Sequence, residues 1–423
     1  MSSQIKQLAG NSAWLLLARV SSQGLGFIFA VLLARFLGEK GLGQYSFITT
    51  SIFLGNTVSS FGMDTLLIRE IARREKVDRQ LIGNAIWLQV GISIIYIVVL
   101  QSLANQLPFS TTEAITAIRV YSLALIPLAF FSVFSAILRG AERMDLFFLM
   151  NLGGAVFQIG LGIIILLNGA GILAIASLLL LTHFLSAILA GWLSRRYTKD
   201  FAIDWGITKN KIIDFSRQCL PFAALAVVGL LLQRMGIFSL SFIASERETG
   251  IYSAALRIIE GSKLIHFAFL GALLPRLATL QGNHDRKESM RQLGGSGFWF
   301  LFVTGVAIAL LITVTAPNII KWLYGEEFRA AILVLQIGIW VLLPYAWTAK
   351  QSVQLVATGH ECKVVWAHTV TFVAALVIYP TLVLKLAGAG AALALVATEL
   401  ILAIVFLASG SSSNNPFHTK LST

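Results

Sequence analysis

Gly43-Gln44-Tyr45-Ser46 and Gly250-Ile251-Tyr252-Ser253 are two copies of one pattern, 207 residues apart in a chain of 423. At the same offset Leu66-Leu67-Ile68-Arg69 meets Leu273-Leu274-Pro275-Arg276, so the interval from Tyr45 to Arg69 equals that from Tyr252 to Arg276. A slightly larger offset pairs Gly140-Ala141-Glu142 with Gly359-His360-Glu361. Three matches in one order predict two homologous halves, 1–205 and 206–423.

The composition says what the halves are made of. Hydrophobic residues make up 57% of the chain and charged residues 12%, with a mean hydropathy of +0.81. A soluble domain carries about 25% charged residues. So few charges cannot cover the surfaces of soluble domains, which excludes a soluble enzyme, a disordered chain and a nucleic-acid binder. A spanning helix needs about 20 mostly apolar residues. Segments near 12–36, 41–62, 81–103, 115–138, 146–168, 170–193, 215–242, 249–274, 293–315, 328–358, 364–386 and 388–409 satisfy this. The expected fold is an all-α polytopic membrane protein of about 12 transmembrane helices in two six-helix bundles. Six is even, so both halves start on one side and the repeat is parallel, around a central cavity near the midplane.

Lys and Arg outnumber Asp and Glu by 32 to 20. Nineteen of the cations fall in the segments on the N-terminal side of the membrane, dense at Arg69–Arg79 and Arg195–Lys211. Only Arg35, Lys40, Arg247, Lys321, Arg329 and Lys385 mark the other side. The positive-inside rule then puts both termini in the cytoplasm of a plasma (inner) membrane protein. The N-terminal stretch has one cation, Lys6, and no small-residue cleavage pattern, so it reads as an uncleaved first span. The basic inner loops serve topology and attract anionic head groups. Cys219 and Cys362 are too few for a disulfide framework or metal site.

Seven cations lie inside spans. Arg119 and Arg217 are close enough to span ends to snorkel. Arg19, Arg234, Arg257, Lys263 and Lys350 are deeper, where an ionisable group facing lipid costs about 2.5–3.5 kcal/mol. They are therefore the candidate substrate-binding residues of a hydrated cavity. Glu260 and Glu399 are the only acids at that depth and the candidate ion-coupling residues. A surplus of cations concentrates anions, and Arg suits phosphate oxygens. Arg257, Glu260 and Lys263 share one side of the eighth span. Arg257 and Glu260 could there form an i,i+3 ion pair, or Glu260 could exchange partners during transport. Pro127, Pro221 and Pro344 fall within spans, as hinges or as static kinks. His183, His266 and His368 read as hydrogen-bonded packing residues. There is no P-loop and no metal-ligand cluster, so neither an ATPase motor nor a cofactor is expected.

Several stretches resemble bacterial polysaccharide flippases. They are Asn11-Ser12-Ala13-Trp14, the two G-x-Y-S copies, Phe61-Gly62-Met63-Asp64-Thr65-Leu66-Leu67-Ile68-Arg69-Glu70-Ile71-Ala72, Leu138-Arg139-Gly140-Ala141-Glu142-Arg143 and Leu273-Leu274-Pro275-Arg276-Leu277. These flippases are the O-antigen and exopolysaccharide exporters of the multidrug/oligosaccharidyl-lipid/polysaccharide (MOP) superfamily. The resemblance implies a two-lobed, MATE-like fold. It also implies translocation of an undecaprenyl-diphosphate-linked oligosaccharide from the inner to the outer leaflet. With no catalytic acid pair or metal-ligand cluster in the loops, the protein is expected to be non-enzymatic, and a monomer. Membrane lipid, the anionic lipid-linked glycan and H+ or Na+ are the implied partners. The family's acid in the seventh span, in an Arg-x-Asp pattern, is replaced here by Arg234-Met235-Gly236, which removes one coupling group. The alternatives are a multidrug exporter or a lipid II flippase of the same superfamily. A glycan polymerase would need a large catalytic outer loop, and every outer loop is short.

Overall fold

The computed structural model describes residues 2–73, 79–197, 203–206, 209–279, 286–357 and 360–411. Among the described residues there are α-helices and short 3-10 turns, and no strand. Helix α1 spans Ser2–Ser60. At 1.5 Å per residue its 59 residues would reach about 89 Å if straight, roughly twice a bilayer with its head groups. Instead the chain folds back at Gly38 (φ 68°, ψ −172°), a conformation that favours glycine. The reversal brings the Phe29 and Tyr45 rings to 6.1 Å. α1 is therefore two crossings.

The first half continues with α2 (Met63–Arg73), α3 (Arg79–Leu103), α4 (Thr112–Ser122), α5 (Leu125–Gly140), α6 (Met144–Leu167) and α7 (Ile172–Tyr197). The second holds α8 (Lys209–Ile243), α9 (Glu246–Thr279), α10 (Arg286–Tyr324), α11 (Ala331–Gly338), α12 (Leu342–Ala357) and α13 (Glu361–Ser411). α13 reverses at Ala387, where the Leu382 carbonyl comes up against Gly390, so it too is two crossings. Nine described helices are long and apolar enough to span a membrane, the two doubled ones among them. Counting the two doubled helices twice gives eleven candidate crossings among the described residues, and α9, 34 residues long, occupies the place of the eighth span read from hydropathy. Large apolar side chains such as Val314, Trp322 and Leu384 cover the outside, as a lipid-facing surface requires.

Two crossings differ from the unbroken helices expected. The fourth stops at Ser122 and restarts at Leu125, and the tenth passes through a 3-10 turn at Ile339–Val341. Pro127 and Pro344 are each the third residue of the restarted helix, where a missing N–H has no intrahelical partner to lose. They start helices, and the same break recurs in both halves. Pro221 falls in α8, and its side chain lies outside the described ones.

The resemblance-bearing stretches around 61–72 and 138–143 meet each other. Phe61 (φ 48°) and Gly62 (φ 71°) turn the chain into α2. Met63, Leu66, Leu67 and Ile71 of α2 are buried against α5 and its neighbours. A Cβ on Gly140 would sit 2.7 Å from Ile71, so only glycine lets the two helices approach this closely. Ser132 donates to Asp64, and Arg139 stands 3.5 Å from the same carboxylate.

Ala387 (φ 45°, ψ −124°) is a non-glycine residue in a region that L side chains rarely adopt. Gly169 (φ 70°) turns the chain between α6 and α7 in the first half. Ala387→Gly should relieve this strain and stabilise the protein by about 1 kcal/mol. A higher melting temperature in detergent is expected, and a fall would contradict the assigned strain.

Candidate functional site

A cavity of about 450 Å³ lies where the second crossing of α1 faces α8 and α9, with α4 to α7 closing its other side. Its charged lining is Arg234, Arg257 and Glu260. Tyr45, Ser46, Thr50, Asn56, Gln158 and His183 are among its neutral polar groups. Arg234 Nη1 stands 3.0 Å from Glu260 Oε1. The ion pair that forms is thus between α8 and α9, and not the intrahelical Arg257–Glu260 pair that spacing allows. Arg257 lies with its guanidinium carbon 5.7 Å from the centre of the Tyr45 ring, a cation–π contact across the two halves. Among the described residues no carboxylate comes within ion-pair distance of Arg257. The described wall therefore holds two guanidiniums against one carboxylate, a surplus of one positive charge, where the sequence offers five deep cations against two acids.

The other sequence-derived candidates are placed elsewhere. Lys263 Nζ sits 4.6 Å from the centre of the Tyr345 ring. Arg19 and Glu399 both lie close enough to act electrostatically on the Tyr345 hydroxyl. Thr348 donates to Glu399 Oε1. Lys350 Nζ stands 5.2 Å from the Trp347 ring and 5.8 Å from that of Phe298. Aromatic faces, rather than acids, shelter the two lysines. The structure thus brings Arg234, Arg257 and Glu260 together on the cavity. Arg19, Lys263 and Glu399 gather around Tyr345, and Lys350 stands apart.

The three membrane histidines are hydrogen-bonded. His183 Nε2 lies 2.9 Å from the Tyr121 hydroxyl. His266 donates from Nε2 to the Leu301 carbonyl at 3.0 Å, and His368 from Nδ1 to the Val364 carbonyl at 2.8 Å. In Arg234-Met235-Gly236 the glycine has a packing role. A Cβ on Gly236 would fall 2.5 Å from the Tyr252 hydroxyl, so this tyrosine occupies the room that a side chain at 236 would need.

Sequence reasoning passed over a clasp that lies next to the cavity-lining residues Tyr45, Ser46 and Ser253. The G-x-Y-S copies pack on each other so tightly that a Cβ on Gly43 would lie 1.8 Å from the Glu246 carbonyl oxygen. One on Gly250 would lie 1.8 Å from that of Glu39. The charges around them interlock with the same symmetry. Arg247 pairs with Glu39, and Lys40 stands 3.7 Å from Glu246. Gln44 Nε2 and the Ser110 amide each donate to Glu246 Oε1 at 3.0 Å. The signal was in the sequence, because the 207-residue offset carries Glu39-Lys40 onto Glu246-Arg247.

Comparison with solved structures identifies the fold. A lipid II flippase, MurJ, in an inward closed conformation superposes with a TM-score of 0.78 at 16% identity, over 93% of this chain and 86% of that one. An inward-facing multidrug resistance MATE family transporter of the MOP superfamily gives 0.75 at 17%, over 94% and 97%. A MOP superfamily transporter from Pyrococcus furiosus, described as having a binding pocket of reverse polarity, gives 0.68 at 16%, over 96% and 94%. No curated protein sequence matches the chain. These structures share the fold of this chain, helices in two groups around a polar cavity, and the chain is a multi-pass membrane protein with that fold. Residues 8–281 match the family described as polysaccharide biosynthesis protein, and the chain belongs to that family.

Proposed function

We propose that this protein is a flippase that carries an undecaprenyl-diphosphate-linked oligosaccharide from the inner to the outer leaflet by alternating access. The observation that carries the reading is Arg257 on the cavity wall, beside an Arg234–Glu260 pair that an incoming anion can open. A diphosphate accepts charge-assisted hydrogen bonds from two guanidiniums, while the prenyl tail stays in the bilayer. Family membership and the lipid II flippase among the structures of the same fold point the same way.

In this reading 1–205 and 206–423 are lobes that rock against each other, and both termini are cytoplasmic. The clasp at Gly43 and Gly250 is the closed outer gate, and the cavity fills from the inside. Glu260 holds Arg234 until the diphosphate displaces it, and then takes Arg234 back to expel the substrate. Glu399, held by Thr348 near the second cationic cluster, is the proposed site where an ion gradient acts on the lobe.

The test is binding of undecaprenyl-diphosphate oligosaccharide to the purified protein by native mass spectrometry, with a cationic drug as comparison. The diphosphate lipid should be retained selectively. Glu260→Gln should retain it about tenfold more tightly, because a charged hydrogen-bonding competitor for Arg234 is lost, and should turn over more slowly. Preference for the cationic drug would replace this reading with that of a drug exporter.

A further inference from the structure

The repeat register lays the two central helices side by side with different chemistry. The offset of 207 carries Ser46, Thr50, Phe53 and Asn56 of α1 onto Ser253, Arg257, Glu260 and Lys263 of α9. The α1 positions, together with Ser253, Arg257 and Glu260, line the cavity. The second half thus supplies its charges, and the first half offers hydroxyls and an amide at the equivalent places.

The neutral side continues into a second cavity of about 220 Å³, enclosed by α1, α5, α6 and α7. The two cavities share Leu128, Gln158 and His183, so they are contiguous. Among its described lining residues the second holds no Asp, Glu, Lys or Arg. It offers polar groups such as Asn151, Thr182 and Ser186 beside the rings of Phe29 and Phe131. Asn151, Thr182 and His183 already bond within the protein, but on the main-cavity side and at Gln158 hydrogen-bonding capacity is unspent. Asn56 Oδ1 and Ser46 Oγ are buried and bonded to no described residue. Gln158, which lines both cavities, makes no side-chain hydrogen bond with a described residue.

A buried amide or hydroxyl left without a partner costs free energy, so an apolar tail is the wrong occupant. A charged group is equally wrong where no counter-charge lines the wall. An uncharged ligand dense in hydroxyls, with an apolar ring face for Phe29 or Phe131, fits both constraints. We infer that the first half holds a neutral sugar subsite, in which Asn56 and Gln158 bind the sugar attached directly to the diphosphate while Arg257 and Arg234 hold the diphosphate itself. The inference rests on the flippase reading and assigns each half one part of the same substrate. The second cavity is smaller than a drug-sized pocket, which limits this recognition to one ring. The remaining sugars extend into the open part of the main cavity.

The test titrates the full-length purified protein with farnesyl diphosphate and with the same diphosphate carrying one hexose. The wild-type protein should prefer the sugar-bearing probe about tenfold, the equivalent of one or two neutral hydrogen bonds. Gln158→Ala and Asn56→Ala should each cut that preference to about threefold or less. Arg257→Ala should weaken both probes by a similar factor. Equal binding of the two probes by the wild-type protein overturns the subsite and leaves the flippase reading standing. So does a preference that survives in both alanine variants with unchanged melting temperatures. Binding of neither probe overturns the flippase reading, and the subsite with it.

Discussion

Gly43→Ala is expected to abolish transport while leaving the protein in the membrane. The new Cβ would lie 1.8 Å from the Glu246 carbonyl oxygen and 3.0 Å from the Gly250 amide nitrogen, which are backbone atoms that cannot rotate away. Small residues at a helix crossing allow this approach, and one methyl group removes it. The helices must separate here, taking the Glu39–Arg247 and Lys40–Glu246 pairs with them. Arg247 and Lys40 are both largely exposed, and exposed pairs contribute little, so they cannot hold the gate closed alone. Overpacking of this kind costs up to about 3 kcal/mol, enough to depopulate the closed gate roughly 100-fold. In a Glu39→Cys/Arg247→Cys double variant a short bifunctional thiol reagent, of about the length of the Glu39–Arg247 pair, should cross-link the two helices, and adding Gly43→Ala should prevent it. A cross-link that still forms, with normal transport, would show that the clasp is not a gate. Gly250→Ala should repeat the phenotype, because its Cβ meets the Glu39 carbonyl in the same way.

Charge reversal at Arg257 should be as severe for a different reason. Arg257→Glu would put two carboxylates on the cavity wall against Arg234 alone, and the wall would change sign. A diphosphate that gained a charge-assisted contact would then meet repulsion in a partly desolvated space. The loss should exceed about 3 kcal/mol, more than 100-fold in affinity for the lipid diphosphate. Arg257→Lys should recover part of it, since a lysine keeps the charge but not the two-pronged geometry. Reversal at Lys350, which lies between Trp347 and Phe298 away from the described cavity wall, should be milder. If the Arg257→Glu protein is folded and binds normally, the anion site lies elsewhere, and the Arg19–Lys263 cluster at Tyr345 is next in line.

The contrast between those two cationic groups shows how far the sequence could be read. Hydropathy located the described helices that are long and apolar enough to cross, because insertion into lipid depends on local composition and little on neighbours. The G-x-Y-S repeat gave the parallel halves, and its flanking Glu-Lys and Glu-Arg pairs carried the clasp in plain view. Helical breaks at Leu123–Ala124 and Ile339–Val341 were not legible, because a proline in an apolar run marks a kink and a helix start equally well.

By itself the sequence determined that the chain crosses the membrane about twelve times, that its halves are related, and that uncompensated charge must be kept from lipid. Each of these follows from the cost of placing a given residue in hydrocarbon, which depends on that residue and its depth. Only the tertiary structure decided that Glu260 faces Arg234 rather than Arg257. It alone divided five intramembrane cations between a cavity, a tyrosine and a pair of aromatic rings. Helical periodicity says which side of a helix a residue occupies, and partner choice depends on which other helix is brought against that side.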